Sequence, residues 1–310
     1  MKRLISLVSI TVLSLTLGVS SAFARGENYV ALGDSLAAGQ TPYQEIDAGY
    51  SDLVAMRLGM IGQLNHYTKQ LAFPGFTTAD VLERVQSEEA SALLANATLI
   101  TISAGANDLL RLVQVNPSAG TLTFSQLQVD FALNIARKNL TDLLAELKLR
   151  APNAKVYVMG YYFAYPNVHA TQKEGTNAQL LKLNTILKQQ AEQAGMTYVN
   201  VYDTFGLQAT HYLPNIADVH PNFEGYRQMA NAFLKSYSGS DGLAISTTEL
   251  PKPNPMTFQE IMEKQAESNE KSVAEQQEKV ATVRSIQGFI GYATFIEKVR
   301  ANQSLQPLRI

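Results

Sequence analysis

Along the chain, short apolar or alternating runs are separated by longer segments with helical spacing. Five of the runs read as strands, at residues 29–32, 64–73, 98–102, 155–159 and 197–202. Helical spacing appears between most of them. Residues 51–58 carry Leu53, Val54 and Leu58, and residues 127–149 present a face of Leu140, Leu143, Leu144, Leu147 and Leu149. Residues 177–194 repeat the pattern through Leu180, Leu181, Leu183 and Ile186. Strands that alternate with helices predict an α/β fold with a parallel sheet covered on both faces. Ligands of such sheets gather at the carboxyl ends of the strands.

The pattern changes at both ends. Lys2 and Arg3 precede an uncharged stretch at 4–19, and Ala22-Phe23-Ala24 then offers small residues where a signal peptidase reads. This predicts a signal peptide over 1–24, cleaved before Arg25, with a retained N-terminal anchor as the competing reading. The protein is therefore expected outside the cell, free or at the cell wall. From Ser236 onward the chain is rich in Ser, Gly, Thr and Pro, which predicts a domain over 25–236 followed by a linker at 237–256.

Residues 257–310 read as a helical extension. It has i, i+4 pairs at Glu260–Lys264, Glu267–Lys271 and Glu275–Lys279, and then an apolar face of Val280, Val283, Ile286, Ile290, Ala293, Ile296 and Val299. Such an arm either packs back on the domain or binds the wall or a partner.

Charge and cysteine content narrow the function. The formal net charge is −2 with no basic block, which argues against nucleic acid as a partner. After the leader no stretch is long and apolar enough for a stable membrane span. Without Cys there is no disulfide scaffold, thiol nucleophile, Cys-ligated metal or lipid-modified Cys. The apolar share of 46% is enough for a sizeable core.

Candidate chemistry begins in YVALGDSLAAG. Ser35 follows the first strand, where it serves either as a helix N-cap or as a nucleophile aided by a base and by oxyanion donors. The G-x-S-x-G elbow is absent, because Ala37 stands at its second glycine. Among the four His, His66, His169 and His211 read as surface or packing residues. His220 lies in NIADVHPNFEGYRQMANAF, two residues after Asp218 and just before Pro221 and a periodic helix. It reads as a general base with a fixed tautomer, or as a cap of that helix. Asn107 in SAGANDLL and Gly75 in LAFPGFTTADVL each follow a strand. Alone, each is an ordinary βα turn; together with the Ser35 N–H they make three oxyanion donors.

These four positions fall after separate strands, and so on one edge of one sheet. In order and local sequence the chain resembles the SGNH hydrolases, the GDSL esterase and lipase family, over residues 28–236. Gly33-Asp34-Ser35-Leu36 matches the first block, Gly75 the second, Gly105-x-Asn107-Asp108 the third and His220-Pro221 the last. It is most similar to secreted bacterial lipase/acylhydrolases. The resemblance implies a three-layer α/β/α flavodoxin-like sandwich with a five-stranded parallel sheet and an open, lidless site. It implies Ser35 as nucleophile, His220 as base and then acid, and Ser35, Gly75 and Asn107 as the oxyanion hole, with no cofactor and no metal.

One position departs from the family. Its usual Asp three residues before the His is Ala217 here, so Asp218 is expected to orient His220, with Asp203 or a backbone carbonyl as alternatives. The substrate implied is a small-molecule or lipid carboxylic ester. Lysophospholipids and acetylated wall sugars are alternatives on the same site. A non-catalytic carbohydrate- or wall-binding module is the rival from another class. Phosphate binding by the loop after the first strand lacks both a following Lys and G-x-G-x-x-G. The oligomeric state is not specified by these patterns.

Overall fold

The computed structural model describes residues 26–257, 259–261 and 263–264. The expected leader and almost all of the extension at 257–310 lie outside the described residues. The chain enters through β1 (Glu27–Gly33), turns through α1 (Ser35–Ala38) into α2 (Tyr50–Met60), and returns as β2 (Leu64–Ala72). Next come α3 (Thr78–Gln86), α4 (Glu88–Asn96), β3 (Leu99–Ser103) and α5 (Ala106–Leu110). A hairpin of β4 (Gln114–Asn116) and β5 (Thr121–Thr123) leads to α6 (Gln126–Arg150) and β6 (Lys155–Met159). The domain closes with α7 (Ala170–Gln193), β7 (Thr197–Val199), α8 (Tyr202–Phe205) and α9 (Phe223–Ser238).

The main sheet is five-stranded and parallel, in the order β2-β1-β3-β6-β7. With helices around it this is the expected three-layer α/β/α sandwich. Tyr29, Val30, Ala31 and Leu32 of β1 and every residue of β3 are buried, because helices cover both faces of these central strands. On one side α2 packs against α9, and on the other α6 packs between α3 and α7. Leu53 and Leu58 from α2 and Met229 and Phe233 from α9 are completely buried. Each such side chain contributes about 1.5–3 kcal/mol of transfer free energy. Edge strand β2 is half exposed, which explains its alternating sequence. From β1 the chain moves outward to β2 and then back across to β3, so the carboxyl ends of β1 and β3 flank the point where strand order reverses.

Three segments depart from expectation. Helix α7 starts at Ala170 rather than at residue 177, although its first turns are polar. His169 caps it, and the Gln172 amide makes two hydrogen bonds to the backbone of Leu122, at 3.1 and 2.8 Å. These contacts with the hairpin are tertiary and leave no periodicity in the sequence. Strand β7 ends at Val199, and Tyr202 already opens α8.

The expected linker is packed along the domain. Helix α9 runs to Ser238, and Ile245 beyond it is buried, its backbone held by Asn231 and Arg227. Arg57 reaches the Glu249 carboxylate at 2.7 Å, and Met256 pairs with Ile46 in an antiparallel bridge. The Ser and Thr residues that suggested a linker form short capped turns, such as Ser246 with Glu249. No helix among the described residues is long and apolar enough to cross a membrane.

Candidate active site

Gly33 ends β1 with φ of 129°, and a Cβ there would lie 2.0 Å from the Ser103 carbonyl oxygen. Only glycine allows β1 and β3 to approach so closely at the sheet's edge. The Asp34 carboxylate then caps α1 by accepting the Leu36 N–H at 3.0 Å. Ser35 is consequently the first residue of the helix and not its cap. Its hydroxyl stands 2.7 Å from His220 Nε2.

His220 is held by a single oxygen. Asp218 Oδ1 lies 2.7 Å from His220 Nδ1 and accepts the His220 backbone N–H at the same distance. A proton on Nδ1 facing this carboxylate leaves the Nε2 lone pair to accept the Ser35 O–H. Two further contacts fix the loop: the Tyr162 hydroxyl donates to the Val219 carbonyl at 2.8 Å, and the Asp218 N–H donates to the Asn215 carbonyl. That turn brings Asp218, rather than Ala217, to the imidazole. The cap of α9 is Asn222, not His220. Asp203 is exposed and accepts from Asn200 at 2.7 Å, so the alternative acid is engaged elsewhere.

Of the expected oxyanion donors, Asn107 shares a cavity with Ser35 and Gly75 is not among the residues lining it. Asn107, in the first turn of α5, lines the same cavity as Ser35 and His220. One N–H of its amide donates to the Phe76 carbonyl at 2.9 Å, which leaves the second for the cavity. Gly75 sits in the turn after β2 with φ of 82°, on the loop that this Asn107 contact anchors. It is not among the residues lining the cavity, and open space lies where its Cβ would be. Neither the Ser35 nor the Gly75 backbone N–H has an acceptor among the described residues.

No local pattern pointed to the network beneath Ser35. Asp34, 1% exposed, accepts from the Tyr161 hydroxyl at 2.6 Å and from the Ser103 hydroxyl at 2.8 Å. Burial pushes its carboxyl up, opposed by the hydrogen bonds from Tyr161, Ser103 and the Leu36 N–H. Burial and the Asp34 charge push the Tyr161 phenol well above its ordinary range, so Tyr161 remains the donor. The partners are 127 residues apart, beyond the reach of any sequence motif. Asp108, adjacent to Asn107, accepts the Thr78 N–H and hydroxyl at 2.9 and 2.7 Å and thereby holds the start of α3.

Beside Ser35 opens a cavity of about 100 Å³ with walls formed by Leu36, Leu109, Phe124, Val129, Leu180 and Leu183. No Lys or Arg is among its lining residues. No group of three His, Asp or Glu among the described residues could hold a metal ion.

Residues 31–228 match the GDSL-like lipase/acylhydrolase family. Among solved structures, a lipase from a goat rumen metagenome is 21% identical with a TM-score of 0.55, covering 69% of this chain and 98% of its own. An acetyl xylan esterase from Geobacillus stearothermophilus is 20% identical with a TM-score of 0.52, covering 72% of this chain and 98% of its own. At such identities these two share the fold. No curated protein matches the chain.

Proposed function

The chain belongs to the GDSL-like lipase/acylhydrolase family and is an ester-bond hydrolase, and from that premise we propose that it cleaves carboxylic esters through an acyl-enzyme on Ser35. The observation that carries the reading is the unbroken line from Ser35 Oγ through His220 to Asp218, with both contacts at 2.7 Å. Ser35 attacks the ester carbonyl as its proton passes to His220 Nε2, and the Asp218 carboxylate stabilises the imidazolium. The carbonyl oxygen, now negative, is received by the N–H groups of Ser35 and Gly75 and the amide of Asn107. Each such donor lowers the barrier by roughly 3 kcal/mol. Collapse of the intermediate expels the alcohol, which takes the proton from His220. Water, deprotonated by the same His220, then attacks the acyl-enzyme and frees the acid while the proton returns to Ser35.

The apolar walls of the cavity beside Ser35 favour an alkyl acyl group over acetate alone. A cavity without a cation gives no support for a phosphate-bearing substrate such as a lysophospholipid. The contact between Asp218 and His220 supports the catalytic reading over a non-catalytic binding module. Placement outside the cell rests on residues 1–24.

The test is hydrolysis of p-nitrophenyl acetate, butyrate, octanoate and palmitate by the wild-type protein and by Ser35→Ala. Turnover abolished by the substitution, with the fold retained, is expected. Undiminished turnover removes Ser35 from the mechanism.

A further inference from the structure

The cavity beside Ser35 runs between two helices. Phe124, just before α6, and Val129, in its first turn, line one side, and Thr176, Gln179, Leu180 and Leu183 line the other from α7. All but two of these side chains are apolar, so the polar Gln179 needs a partner. It finds one across the gap. Gln126 Nε2 donates to Gln179 Oε1 at 3.1 Å, and Gln179 Nε2 donates back to Gln126 Oε1 at 3.1 Å.

One turn further along each helix, Lys182 meets Asp130 at 3.1 Å, and Gln126 also donates to Asp130 at 2.9 Å. Gln126 is exposed and Gln179 half-buried. The paired amides therefore stand at the boundary between the apolar cavity and solvent: Gln179 is part of the cavity wall, and its carboxamide is turned to the exposed Gln126. A chain that reached this point would have to break both reciprocal hydrogen bonds or stop short of them.

We propose that Gln179, clasped to Gln126, closes the acyl pocket and sets the longest acyl chain that the site accommodates. This rests on the reading of Ser35 as the acyl acceptor. Replacing Gln179 with Ala removes the clasp and opens the cavity wall there to about two more methylenes, each worth roughly four-fold in kcat/KM when buried. The Gln179→Phe substitution does the reverse, filling the end of the pocket with a rigid apolar ring.

The experiment measures kcat/KM for p-nitrophenyl butyrate, hexanoate, octanoate, decanoate and dodecanoate with the full chain, Gln179→Ala, Gln179→Phe and Ser35→Ala. The quantity read is the long-chain to butyrate ratio within each protein, which does not depend on the fraction that is folded. Gln179→Ala is expected to raise the ratio by about 15-fold and to move the preferred ester about two carbons longer, while Gln179→Phe lowers the ratio. Turnover lost in Ser35→Ala, with the ratio unchanged in both Gln179 variants, overturns the clasp alone. Turnover that persists in Ser35→Ala overturns the reading of the site and the clasp with it.

Discussion

Asp218 is the residue where this chain departs from its family's spacing, and its removal is the sharpest test of the geometry. One carboxylate oxygen accepts both the His220 backbone N–H and Nδ1 at 2.7 Å, and the His220 side chain is only 11% exposed. In Asp218→Ala two donors lose their acceptor where water has little access, which costs about 1–3 kcal/mol of stability. The larger effect falls on rate. The imidazole loses both its preferred tautomer and the charge that stabilises its protonated form, a loss of about 10³–10⁴ in kcat, or roughly 4–5.5 kcal/mol of barrier. Asp218→Asn separates the two contributions, because an amide oxygen still accepts but the charge is gone, and its kcat should fall between wild type and Ala. Asp203→Ala serves as the control, since that carboxylate is bound to Asn200 and should leave kcat within about two-fold. The assay is steady-state hydrolysis of p-nitrophenyl butyrate, with a thermal melt of each variant. If Asp218→Ala kept kcat within ten-fold of wild type, the imidazole would be oriented by something else, and the account of the triad would be wrong.

Other substitutions probe separate regions of the site and its frame. Asn107→Ala removes a proposed oxyanion donor and should lower kcat by about 10²–10³ with a much smaller change in KM; a change confined to KM would place Asn107 in binding instead. Tyr161→Phe leaves the buried Asp34 carboxylate without its shortest hydrogen bond, at 2.6 Å. It should cost about 2 kcal/mol, or about 4–8 °C in Tm, whereas an unchanged melt would show that the other donors suffice. Glu249 on the packed C-terminal strap is held at about 2 by the Ser246 N–H and hydroxyl and then by Arg57, below its ordinary 4.5. A depressed carboxyl stabilises the fold above its unfolded value, and that contribution fades as pH falls from about 4.5 towards 2. The Tm difference between wild type and Glu249→Gln should therefore be present at pH 6 and vanish as pH falls through this window, and a difference that persisted at pH 2 would refute the assignment.

What could be read from sequence follows a physical division. The central strands were visible because burial on both faces forces runs such as Val30-Ala31-Leu32 and Leu99 to Ile102. The placement of Ser35 and Asn107 at one edge was legible because each follows its own strand, β1 or β3, whereas His220 reaches Ser35 on the loop between α8 and α9. Asp218 was legible as well, through its proximity in the chain to His220. Contacts between distant segments were hidden. Tyr161 meets Asp34, and Gln172 meets Leu122, through packing that no window of sequence encodes. The stretch after Ser238 misled because Ser, Gly, Thr and Pro suit a capped, packed turn as well as a loose tether. Ile245, the Arg57–Glu249 pair and the Met256–Ile46 bridge distinguish the two.

The central claim is that Ser35 carries the acyl group. The most direct measurement is reaction of the protein with a p-nitrophenyl alkylphosphonate, followed by intact mass and peptide mapping. The account predicts one adduct per chain, on the peptide containing Ser35, appearing in step with loss of ester turnover and absent from Ser35→Ala. Inactivation with the phosphonate on another residue, or with Ser35 unmodified, would contradict it.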